Sequence, residues 1–93
     1  MGTDTEIELT VNELYGHLES TAELPIDHRT NRWLGEAEAV ARDVATSDLD
    51  RETTKARIRE VEHLLEEAAE TGHEEADEHL EASRELCRVI LES

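Results

Sequence analysis

A chain of 93 residues that carries 25 Asp or Glu against nine Lys or Arg has a formal charge of −16, and it can fold only where almost every carboxylate stays in water. Self-repulsion at this density works against any compact state in dilute buffer. At ~1 M salt the Debye length falls to about 3 Å, and carboxylates on neighbouring helix turns then barely repel one another. The core must come from what remains. Phenylalanine is absent and the only aromatics are Tyr15 and Trp33, so Leu, Val, Ile and Ala have to supply it. A thin aliphatic core of this kind suits closely packed helices, and the length suits one domain, expected to span residues 1–93.

The positive charge is nearly all arginine, with Lys55 the single lysine. In acid surplus, lysine scarcity and lack of bulky aromatics, the composition resembles that of the small acidic helical proteins of haloarchaea. The resemblance implies a cytoplasmic protein that needs high KCl to fold. No run approaches the ~18 apolar residues of a membrane span, and the acidic beginning of the chain lacks the basic and apolar regions of a signal peptide, so no membrane association is expected. One cysteine, Cys87, excludes an intramolecular disulfide and a cysteine-based zinc cluster.

Charge is uneven along the chain. Residues 1–28 hold seven acids and no base, residues 29–59 six acids and seven bases, and residues 60–93 twelve acids and two bases. Contact between the neutral middle third and the acidic flanks, within one chain or between two, is favourable even with short-range screening.

Apolar spacing predicts an all-α bundle of four helices, at about 11–24, 28–46, 50–71 and 73–92, the last two an antiparallel hairpin. Thr10-Val11-Asn12-Glu13 fits a capping box and starts the first helix, with Leu9 and Leu14 in the staple positions and residues 1–9 left as an extended, flexible arm. Asp27 is a candidate N-cap for the second, in which Trp33, Ala37, Val40 and Val44 form the face and Leu34, Ala41 and Ala45 widen it. The third carries Thr54, Ile58, Val61, Leu65 and Ala68 in heptad spacing, widened by Leu64 and Ala69. Continuing that heptad would bury Glu75 and His79, whereas the apolar residues fall at Ala76, Leu80, Ser83, Cys87 and Ile90. This slip of one position, beside Thr71-Gly72, predicts a turn rather than one kinked helix.

Catalysis has little to work with. No Gly-rich phosphate loop or Ser-centred turn is present, and Cys87 lies near a helix C-terminus, where the dipole disfavours a thiolate. Five histidines raise the question of a metal, and Glu60/His63 and Glu70/His73 have the spacing used by di-iron bundles. An acid surplus this large produces such spacings by chance, and Glu60 and His63 point away from the predicted core face. His73, Asp77 and His79 amount at most to an adventitious surface site. The expectation is a non-enzyme with no cofactor and no metal.

Two functions remain. The first is a protein-interaction or assembly module that acts by helix packing, as a homodimer or with a protein partner, because Leu86, Val89, Ile90 and Leu91 make the C-terminal end more apolar than one packing face requires. Its candidate interface residues are Trp33, Leu65, Leu86 and Ile90. The alternative is an accessory transcriptional or nucleic-acid-associated protein that uses Arg51, Lys55 and Arg59, spaced four apart on the third helix. Three to five basic contacts lose affinity steeply as salt rises, which makes nucleic acid the less favoured partner.

Overall fold

The computed structural model describes residues 2–68 and 71–93, with the backbone alone for residues 2–5. Asp27 ends the connection after the first helix. Its carboxylate accepts the N–H groups of Arg29 at 3.0 Å and Thr30 at 3.2 Å, satisfying two donors that a helix start otherwise leaves without partners. Asp50 does the same for Thr53 at 2.7 Å. These caps fix the starts of the second and third of four helices: α1 Gly2–Thr21, α2 His28–Thr46, α3 Arg51–Ala68 and α4 Glu74–Leu91. The short connections make sequence neighbours antiparallel, and α1 closes the ring against α4. The product is an up-down-up-down bundle of 40 × 19 × 18 Å.

Each helix buries a stripe at alternating spacings of three and four. The stripes are Ile7, Val11, Leu14, Leu18 and Thr21 on α1; Leu34, Ala37, Ala41 and Val44 on α2; Thr54, Ile58, Val61, Leu65 and Ala68 on α3; and Ala76, Leu80, Ser83, Cys87 and Ile90 on α4. Alternation of three and four keeps a stripe facing the bundle axis over about four turns. The stripes of α3 and α4 are those read from the sequence. On α2 the buried face is rotated: Leu34 and Ala41 lie at its centre, while Trp33 and Val40 are half-buried at its edge.

The start of α1 is a correction. Residues 2–9 are helical rather than an extended arm, because Ile7 lies one turn before Val11 on the same stripe and is buried with it. Thr10 does not cap. Its hydroxyl donates to the Glu6 carbonyl at 2.9 Å, one turn back in the same helix. Leu9, expected to act as a staple, is instead 64% exposed.

The turn between α3 and α4 is real, with Gly72 at φ 76°. Ala69 and Glu70, and with them the predicted end of α3 and half of the Glu70/His73 spacing, lie outside the described residues. Thr71 is buried and organises the start of α4. Its N–H donates to Asp77 Oδ1 at 2.8 Å, its hydroxyl lies 2.7 Å from the same oxygen, and it accepts the His73 N–H at 3.1 Å. His73 is the N-cap of α4, with Nδ1 accepting from the Ala76 N–H at 3.4 Å.

Gly72 and Gly16 should respond oppositely to alanine. A Cβ at either position meets open space, so at Gly72 the cost is the left-handed backbone alone, roughly 1–2 kcal/mol. Gly16 lies inside α1, where alanine is worth up to about 1 kcal/mol. Urea titrations in multimolar KCl should show Gly72→Ala less stable and Gly16→Ala more stable than the parent chain.

Candidate functional site

The bundle order sorts charge into halves. The adjacent helices α1 and α4 carry, respectively, five acids with no base and six acids with two bases, a combined −9. Their neighbours α2 and α3 carry three of each sign, and five acids with four bases, a combined −1. The neutral middle third of the sequence has become one side of the molecule. Its arginines 29, 32, 42, 51, 57 and 59 are all exposed. Ion pairs are sparse: Arg42 is 3.8 Å from Glu38 and His63 3.9 Å from Glu67, while Arg88 approaches Glu85 at 2.6 Å. Exposed pairs of this kind contribute little to stability.

The four candidate interface residues do not share a surface. Leu65 and Ile90 are fully buried in the chain's own core, which removes them as contacts for a partner of the folded bundle. The apolar excess near residue 90 is largely absorbed inward, because α4 turns Cys87 and Ile90 to the axis. Trp33 and Leu86 are half-buried against the core, on opposite halves. Trp33 shares the edge of α2 with Val40, seven residues on, and α3 contributes the half-buried Leu64 to the same half. The large apolar residues left exposed among the described ones, Leu9 and Val89 at 47%, both lie on the acidic half.

The three basic candidates on α3 are also separated. Arg51 and Arg59 are exposed, but Lys55 is half-buried and its Nζ donates to the Ser93 carbonyl beside α4. The strip is therefore interrupted at its middle.

Among the described residues, no three His, Cys, Asp or Glu side chains are placed together to hold a metal ion. Glu60 and His63 are exposed, and His63 faces Glu67. His73, Asp77 and His79 part company: His73 caps α4, Asp77 binds Thr71, and His79 turns to α1. There its Nδ1 lies 2.9 Å from Nδ1 of His17. Sequence reading missed this pair, since 62 residues separate its members; the only hint was that each histidine borders its helix's buried stripe. A cleft of about 260 Å³ lies between α1, the end of α2 and the start of α3, over Ile7, Val11, Val44 and Thr54.

With the four helices, their caps and their stripes in place, sequence comparison assigns the domain. The chain belongs to the family DUF8152, a domain of unknown function. The match runs over residues 10–93, so it takes in most of α1 and all of α2, α3 and α4. No curated protein and no solved structure matches the chain. No described helix of this DUF8152 domain is long and apolar enough to cross a membrane.

Cys87 and Asp77 are shifted in opposite directions. Burial, with Glu62 adding repulsion, pushes the Cys87 thiol up to about 12. It should therefore resist thiol reagents in the native state and react within the mixing time once urea unfolds the chain. Asp77 is held below the ordinary carboxylate range, chiefly by the Thr71 hydroxyl and then by the Thr71 N–H. A depressed value means stability that is present above the unfolded value of ~3.9 and is lost as pH falls through the folded one. Asp77→Asn should flatten the loss of stability below about pH 4, read by thermal melts across pH.

Proposed function

We propose that this DUF8152 domain is a non-catalytic assembly module that acts by helix packing, and that it forms a homodimer through its α2/α3 half in a salt-rich cytoplasm. The observation that carries this reading is the charge partition. Two copies that meet through faces of combined charge −1 avoid the repulsion that two faces of −9 would impose. Trp33 supports the same face, since a half-buried tryptophan beside Val40 and exposed arginines is the kind of anchor that interfaces favour. Exposed Ala39 and Ala56 on α2 and α3 let a second backbone come near. The acid-rich α1/α4 half would remain in solvent, where high salt screens it.

The alternative nucleic-acid reading, through Arg51, Lys55 and Arg59, draws on the same helix but has the Lys55 ammonium already engaged. An Arg51→Glu/Arg59→Glu double variant separates the two, since the assembly reading expects unchanged retention on nucleic acid at high salt.

Absolute mass in multimolar KCl by light scattering is the test. The parent chain should be a dimer. Trp33→Glu should halve its mass, and so should Ala39→Glu, which removes no buried group. Leu9→Glu, on the other half, should leave the dimer intact. A parent chain that is monomeric at all concentrations would sink the proposal.

A further inference from the structure

The His17–His79 contact joins α1 to α4, and its geometry is specific enough to assign a state. The Nδ1 atoms are 2.9 Å apart and the ring centroids 5.2 Å. The difference of 2.3 Å is about the sum of two centroid-to-nitrogen distances in imidazole, so both rings point along the line between their nitrogens. A hydrogen bond needs this head-on approach, with one Nδ1–H donating and the other Nδ1 accepting. A metal does not fit the same line. Two bonds of ~2.0–2.1 Å exceed the 2.9 Å gap, so both rings would have to swing aside to converge on an ion.

We propose that His17 and His79 form a proton-counting latch across the α1–α4 seam. With both rings neutral, one proton occupies the gap and the rings hold opposite tautomers. A first added proton goes to Nε2 of the donor ring, outside the gap, and strengthens the bond by giving it a charged donor. A second must enter the gap at the acceptor Nδ1. Two N–H groups and two positive charges then face each other at 2.9 Å, and the latch opens. The bond thus survives the first protonation and fails at the second, so its contribution to stability is lost on acidification.

By helical register Glu13 lies one turn before His17 on α1, while Glu75 lies one turn before His79 on α4, with Glu78 adjacent to it. No hydrogen bond or ion pair among the described residues links a charged side chain of α2 or α3 to either ring. Those two helices pack on the other edges of α1 and α4, where Arg84 donates to the Leu65 carbonyl and Lys55 to that of Ser93. The seam itself covers Leu14, Leu18 and Leu80, so an opened latch loosens the bundle along one edge.

The experiment is nitrogen-detected NMR of the imidazoles in multimolar KCl with EDTA, from about pH 8 to 5, beside hydrogen exchange of the α1 amides. At the upper end of that range one of the two rings should be the Nδ1–H tautomer and the other the Nε2–H tautomer. Between about pH 7 and 5, α1 exchange should rise at least roughly tenfold relative to that of a His17→Leu/His79→Leu variant, whose seam does not titrate. His73→Asn, which retains a capping side chain, should leave the rise unchanged and so separate the latch from the cap of α4. Two Nε2–H tautomers in the neutral pair, or double protonation with α1 exchange unmoved, would overturn the proposal. So would ring signals that differ with and without EDTA, since they would give the pair to a metal.

Discussion

Everything in this bundle depends on four apolar stripes that have only each other to pack against. With a single tryptophan, one tyrosine and no phenylalanine, no one side chain anchors the interior. Burial is spread over Leu, Ile, Val and Ala, each contributing roughly 25 cal/mol per Å² of apolar surface removed from water. Small residues allow close approach. The cost of that choice is that little surplus burial is available to absorb a disturbance. Polar groups inside are consequently paired locally: Thr21 donates to the Leu18 carbonyl and Ser83 to the His79 carbonyl, both at 2.7 Å. No buried side-chain nitrogen or oxygen among the described residues lacks a partner.

Specificity comes less from the core than from the ends and seams. Asp27, Asp50 and His73 set where helices begin, and the Thr71–Asp77 cluster fixes how the chain leaves the turn at Gly72. Arg84, reaching the Leu65 carbonyl at 3.0 Å, pins the offset of α4 against α3. A uniform aliphatic core tolerates sliding by a turn, and these polar contacts are what such sliding would break.

The helices are legible in the sequence wherever apolar periodicity and a polar cap agree. Asp27 and the slip at Gly72 predict α2 and the α3–α4 turn, and the stripes of α3 and α4 follow residue by residue. The beginning of α1 misleads because Thr10 to Glu13 has capping chemistry in either setting. Whether a threonine caps a helix or bonds back within one is decided by Ile7 having a core to enter, which is a tertiary fact. On α2, the size of Trp33 suggests the centre of the face. The neighbours leave room at the axis for Ala37 and Ala41, and the ring is displaced to the edge. The interface candidates mix core and surface for a related reason, since apolar character alone does not say which side of a thin bundle a residue faces. The histidine pair is beyond reach, as no local pattern links positions 17 and 79.

The closure of α1 on α4 also bears on how the chain acquires its structure. The α1/α2, α2/α3 and α3/α4 pairs join elements a few residues apart, and such local contacts cost little chain entropy to make. The seam holding His17 and His79 spans 62 positions, and loop entropy rises by only about 0.6 kcal/mol for each doubling of length. Closing α1 on α4 is thus a modest entropic step, although these two helices are the farthest apart in the sequence. Until that seam closes, the stripes of α1 and α4 each lack one of the neighbours that cover them, and a chain caught at that stage presents its aliphatic surface to other chains.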